Sequence, residues 1–229
     1  MSQHAGNGFE ILTDSAPLPG YLALPARGRG PGVLVLHEAW GLVDDIRDVC
    51  DRLARADYVA LAPDLFRGAI AETEAEAHER VRALASDAVG PDLDAAVAAL
   101  LNHHSVDGGR IGVLGFCMGG HLSLVTAARN QRVAAAVDFY GAPLGVPVDI
   151  AGIEAAVLGI FAENDEYVGA DIVKELRRDF QAADKSATFI VEPGVGHAFM
   201  NAARPDRYAA AAAERGWDRL LAFLRAELT

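Results

Sequence analysis

The sequence predicts an α/β architecture, a mainly parallel eight-stranded sheet with helices on both faces. Short apolar runs bounded by glycine, proline or polar turns recur along the chain, and helical periodicity fills most of the intervals between them. The longer runs do not alternate apolar with polar residues as a half-exposed strand would. They therefore read as parallel strands buried on both faces.

Each element follows from local chemistry. Residues 9–13 and 21–24 are β-prone, and Pro19-Gly20 between them signals a hairpin turn. A glycine-rich loop over 27–32 leads into Val33-Leu34-Val35-Leu36, a buried strand. The helix predicted over 43–56 places Ile46, Val49, Cys50 and Leu53 at i, i+3, i+4 and i+7, so Cys50 is a small core residue. Strand 58–61 and a turn at Pro63-Asp64 come next. A charged, alanine-rich helix spans 72–85, and Gly90-Pro91 breaks the chain before a helix ending near His103. Then come strand 110–114, helix 118–128, strand 133–139, strand 156–161, helix 168–182, strand 188–191 and a final helix over 205–228. With no repeat and no low-complexity linker, residues 1–229 read as a single domain.

Composition narrows the function classes. A net charge of -12 and a pI near 4.9 argue against nucleic acid or anionic lipid as a partner. No apolar run approaches the roughly 20 residues of a membrane helix. Residues 1–10 are polar and lack a signal-peptide pattern, which predicts a cytoplasmic protein without a membrane partner. Two cysteines are too few for a closed zinc site and are weak evidence for a disulfide.

The most informative segment is Ile111-Gly112-Val113-Leu114-Gly115-Phe116-Cys117-Met118-Gly119-Gly120. A strand runs into Gly-X-Cys-X-Gly and then into a helix, the pattern of the nucleophile elbow of an α/β-hydrolase fold. Side chains at Gly115 and Gly119 would collide with the neighbouring strand or helix. The helix N-terminus behind Cys117 favours thiolate over thiol and aims the Met118 N–H at a developing oxyanion.

In such a fold an acid and then a histidine follow the nucleophile, each on a loop after a strand. His197, in a glycine-rich loop after strand 188–191, fits the base; His121 lies within the helix after Cys117 and points the wrong way. Asp165, directly after strand 156–161, is favoured as the acid, with Glu163, Glu166 and Asp138 as competitors.

The elbow, His37-Glu38-Ala39-Trp40-Gly41, Ala62-Pro63-Asp64-Leu65, Asn164-Asp165 and Gly196-His197-Ala198-Phe199 together resemble the dienelactone hydrolase (carboxymethylenebutenolidase) family over nearly the whole chain. The resemblance implies a Cys117–His197–Asp165 triad that cleaves small esters or lactones through an acyl-thioester, without metal or organic cofactor. It implies that Glu38 contacts the resting thiol and accepts its proton, and that the Ala39 and Met118 N–H groups form the oxyanion hole. The family holds the carboxylate of dienelactone with two arginines. Asn201 stands four residues after the histidine where one belongs, and Arg80, Arg82 or Glu74 matches the other. A substrate other than dienelactone is therefore expected, with Trp40, Tyr140 and Phe199 able to furnish an apolar pocket around it. The chain would act as a monomer or small homo-oligomer. Two other readings stay open: a non-catalytic binding or sensing domain on the same scaffold, and a hydrolase of thioesters or carbon–carbon bonds.

Overall fold

The inner apolar runs become strands because each is covered twice, whereas the edge strands are covered on one face. In β3 (Gly30–Leu36), Val33 and Val35 enter one core while Leu34 and Leu36 enter the other. β5 (Val106–Phe116) divides likewise, with Leu114 and Phe116 on the first side and Ile111 and Val113 on the second. The first core is closed by Ile46, Cys50 and Leu53 of α1 (Asp44–Arg55) and Trp217, Leu220 and Leu224 of α6 (Ala210–Leu228). The second is closed by α3 (Val89–Leu101), α4 (Met118–Arg129) and α5 (Ala170–Ala182). The computed structural model describes residues 5–14, 16–84 and 89–229.

The remaining elements are β1 (Asn7–Ile11), β2 (Leu18–Ala23), β4 (Val59–Pro63), α2 (Glu74–Leu84), β6 (Val133–Phe139), β7 (Ala156–Ala162) and β8 (Ala187–Glu192). Among the described residues the strands form one eight-stranded sheet in the order β1-β2-β4-β3-β5-β6-β7-β8. The β1/β2 and β2/β4 pairs are antiparallel; every other pair is parallel. This is the α/β-hydrolase fold.

Several local expectations are corrected. Pro19-Gly20 is not the hairpin turn but lies inside β2, pairing with Glu10 and Phe9. The strand needs glycine there, because a Cβ on Gly20 would sit 2.9 Å from the Ala62 carbonyl oxygen. Gly90-Pro91 does not break the chain but lies in the first turn of α3 as described, where the missing proline N–H costs little. Residues 205–207 form a turn and 208–209 are irregular before α6, and β5 begins earlier than its apolar stretch. The predicted end of α2 at Ala85, and Met1 to His4 of the polar start, lie outside the described residues. No helix among the described residues is long and apolar enough to cross a membrane.

The loops that follow β3, β5, β6, β7 and β8 leave from the carboxyl ends of parallel strands and so gather on one edge of the sheet, where open α/β sheets bind ligands.

Candidate active site

Cys117 occupies the turn between β5 and α4 with φ +52° and ψ −117°. A non-glycine residue held at positive φ costs on the order of 1–3 kcal/mol, so its surroundings must impose the conformation. They do so through the backbone. The Cys117 N–H donates to the Phe139 carbonyl (3.0 Å), and the Cys117 carbonyl accepts from Gly120 N–H (3.0 Å). The flanking glycines permit the fit: a Cβ on Gly115 would lie 2.0 Å from the Gly119 oxygen, and one on Gly119 would lie 2.2 Å from the Leu36 oxygen. The result is a half-buried thiol at the wall of a cavity. Cys50, by contrast, is fully enclosed in the core, and burial pushes its thiol pKa up.

His197 reaches the same cavity from the loop after β8. Its Nδ1 lies 3.0 and 2.9 Å from the two Asp165 carboxylate oxygens. Asp165 also accepts from Tyr167 N–H (2.8 Å) and Val168 N–H (2.9 Å), so it is an acceptor and Nδ1 carries the proton. Burial alone would raise the Asp165 pKa, but the hydrogen bond and charge of His197 and the two backbone donors hold it below the usual carboxylate range. Burial likewise opposes the imidazolium of His197; the Asp165 hydrogen bond and the adjacent Cys117 outweigh it and push the pKa up to about 10. Nε2, the opposite ring nitrogen, is buried and has no hydrogen-bond partner among the described residues. Tyr140 and Tyr167 pack edge-on against the ring, with centroids 5.0 and 4.8 Å away, and fix its plane.

The loops carrying acid and base are tied to each other. Glu163 N–H donates to the Glu192 carbonyl, Asn164 N–H to the Val195 carbonyl, and the Glu163 carboxylate accepts from Gly194 N–H. Glu163 therefore braces the histidine loop instead of touching the imidazole. Glu166 pairs with Arg207, and Asp138 accepts from Gly141 N–H. Of the four carboxylates considered from the sequence, only Asp165 hydrogen-bonds His197 among the described residues. His121 points away, its Nε2 2.7 Å from the Val146 carbonyl.

Glu38 lies on the cavity wall with Cys117, Ala39, Trp40 and Met118. Its carboxyl does not hydrogen-bond the thiol; it accepts from Tyr140 OH (3.2 Å) and from the Asn201 amide. Burial raises the Glu38 pKa, and the neutral donors Asn201 and Tyr140, with the charge of His197, offset this without reversing it. Where the family resemblance reads an arginine, Asn201 thus holds the glutamate with no charge of its own.

The expected pocket set divides. Trp40 lines the cavity, whereas Tyr140, Phe199 and Asn201 are buried behind it. The cavity volume is about 140 Å³. Its roof is a face of α2 carrying Glu74, Ala77, His78 and Val81; Arg80 and Arg82 lie elsewhere on that helix. Sequence reasoning missed Arg204 and Arg207, which reach the rim from the loop before α6. Their signal was present, two arginines seven and ten residues after the histidine. Both are already paired: Arg204 with Asp206 (3.2 and 3.1 Å), and Arg207 with Glu166. Arg204 also lies over the Trp40 ring, 5.2 Å from its centroid. No cluster of three or more metal-ligating His, Cys, Asp or Glu side chains occurs among the described residues.

A model of the "Dienelactone hydrolase family" matches residues 18–228. A "Putative carboxymethylenebutenolidase" of Methylorubrum extorquens is 36% identical, over 94% of this chain and 79% of that one. "Protein usf" of Aquifex pyrophilus is 33% identical, over 98% of this chain and 100% of its own. A crystal structure titled "Putative Dienelactone Hydrolase", from Klebsiella pneumoniae, superposes with a TM-score of 0.88 at 31% identity, covering 96% of this chain and 98% of that one.

Proposed function

The chain belongs to the dienelactone hydrolase family and is a hydrolase of carboxylic esters or lactones, and from that premise we propose that it works through Cys117, His197 and Asp165 on small, neutral substrates. One observation carries the triad. His197 is pinned at Nδ1 by Asp165 and presents a buried, unpartnered Nε2 to the cavity that Cys117 lines from its elbow.

The thiol proton sits on Nε2 in an imidazolium–thiolate pair, and the Cys117 sulfur of that pair attacks the substrate carbonyl carbon. The carbonyl electron pair moves to oxygen, which faces the Ala39 and Met118 N–H groups. Collapse expels the alkoxide, which takes its proton from Nε2 and leaves an acyl-thioester. With the sulfur acylated, the thiolate no longer holds the imidazolium proton, so His197 serves as base again. It deprotonates water, which attacks the thioester and returns the thiolate. Glu38, a buried carboxyl held by neutral donors, is suited to keep or take a proton beside the resting thiol.

Cavity size and lining support the substrate class. About 140 Å³ is near the roughly 150 Å³ apolar cavity that accepts one benzene ring. Ala39, Trp40, Ala77, Val81, Met118 and Leu144 make most of the wall apolar, and both rim arginines are spent on neighbouring carboxylates. The same single sheet supports reading residues 1–229 as one domain.

Purified Cys117→Ala is expected to lose ester and lactone turnover; full activity in that variant would sink the proposal. A panel of neutral aryl esters, simple lactones and carboxylate-bearing lactones tests the substrate class. The neutral members should be preferred, and a strong preference for the carboxylates would assign Arg204 or Arg207 to substrate instead.

A further inference from the structure

His37 is fully buried behind the cavity and has no part in the steps above, yet both of its ring nitrogens are committed. Leu65 N–H donates to Nε2 at 3.1 Å. Nε2 is therefore the acceptor nitrogen, and Nδ1 carries the hydrogen, which it donates to the Glu38 carbonyl at 2.6 Å. Burial lowers the pKa of this imidazole, in keeping with a neutral ring. The tautomer is set by a rigid support. Asp64, within the Ala62-Pro63-Asp64-Leu65 segment, accepts from Phe66 N–H (3.1 Å) and Gly68 N–H (2.6 Å), and its own N–H donates to the Pro19 carbonyl (2.7 Å). The Leu65 N–H is held facing the ring by that turn.

The consequence lies one peptide bond away. The Glu38–Ala39 peptide is trans and planar, so its N–H leaves from the side opposite its C=O. With the carbonyl anchored on His37 and also accepting from Gly41 N–H (3.3 Å), the Ala39 N–H is turned the other way. Ala39 lines the cavity with Cys117 and Met118, and no acceptor among the described residues takes its N–H. The tight approach of Gly119 to the Leu36 and His37 carbonyls packs the start of α4 against this segment, bringing the two backbone donors to one wall.

We propose that His37 is a positioning residue of the oxyanion hole: its Nδ1–H fixes the Glu38 carbonyl and thereby aims the Ala39 N–H at the substrate oxygen. The proposal rests on the acyl-transfer reading of the site.

Two amide substitutions separate this from simple core packing. In His37→Asn the shorter side chain would place its amide nitrogen near the Nδ1 position and keep the bond to Glu38. In His37→Gln the amide falls near the Nε2 position and that bond is lost. With p-nitrophenyl acetate, His37→Gln should lose about 100-fold in kcat, the scale of one oxyanion donor, while His37→Asn stays within ~10-fold of the parent. KM should move little in both. Alkylation of Cys117 by iodoacetamide builds no oxyanion, so its rate should stay within ~3-fold in both variants. A His37→Gln protein as active as His37→Asn, or alkylation falling in step with turnover, would overturn the proposal. If His37→Gln is not recovered folded, His37→Asn decides alone, and a loss of more than ~10-fold overturns it. Failure of the nucleophile assignment looks different, since it shows as turnover retained by Cys117→Ala with both His37 variants unaltered.

Discussion

Asp138 is the buried carboxylate that the proposed reaction leaves unused, and it governs stability more than chemistry. It lies at the end of β6, 1% exposed, with one oxygen accepting from Gly141 N–H and the other without a partner among the described residues. Burial pushes its pKa up to about 7, against the opposing pull of the Gly141 bond and the charge of His197. A carboxyl whose folded-state pKa is raised favours the folded state fully below its unfolded pKa and loses that contribution as pH rises through the folded value. Between pH 5 and pH 8 the parent should therefore lose about 2–3 kcal/mol that Asp138→Asn does not lose. Denaturant titrations of both proteins at the two pH values check this, and a constant difference between them would refute the raised pKa. The Gly141 bond also holds the turn in which Tyr140 adopts φ +43°, and Tyr140 in turn meets Glu38 and His197. At this scale the sequence was uneven. Cys117, Asp165 and His197 carried local signals, a glycine-flanked elbow and strand-end loops. The Glu38 partners carried none, because Tyr140 and Asn201 are 102 and 163 residues away along the chain. Only the fold brings them together.

Elements whose role depends on periodicity alone were easy to place, and those whose role depends on what they cover were not. α2 reads from the sequence as a charged, alanine-rich helix, and most of its residues are exposed or half-exposed. Its buried residue is Ala77, which with His78 and Val81 closes the cavity above Cys117. An alanine at a cavity roof sets a size limit by its smallness. Ala77→Leu should lower kcat/KM for p-nitrophenyl benzoate by more than ~10-fold while leaving the acetate within ~3-fold, the range one or two misplaced methylenes produce in an apolar pocket. Equal losses on both esters would show that α2 does not bound the acyl group. β2 illustrates the reverse difficulty. Pro19-Gly20 has the composition of a turn, but Gly20 is required by close backbone approach to β4, a long-range demand invisible in the local pattern.

For the whole molecule, the alternation of doubly buried strands with helices was enough to give the class of fold, since no other arrangement covers such strands on both faces. The strand order depends on crossovers and was not legible in the same way. Charge is the other global property, and it bears on substrate choice. The net charge of -12 surrounds a cavity whose rim includes Glu74 beside Arg204 and Arg207. Two arginines at a mouth would ordinarily draw in anions. Here Arg204 is bound to Asp206 and Arg207 to Glu166, so the rim adds little positive charge to oppose the field of the whole protein. That field is screened over ~30 Å at about 0.01 M salt and over ~8 Å at about 0.15 M. A carboxylate-bearing aryl ester should accordingly gain in kcat/KM, by about 2- to 5-fold, when salt is raised across that range, because repulsion is removed. A neutral aryl ester of the same size should not respond. If the anionic ester instead loses kcat/KM as salt rises, the rim arginines outweigh the acidic surface, and the preference for neutral substrates fails with it.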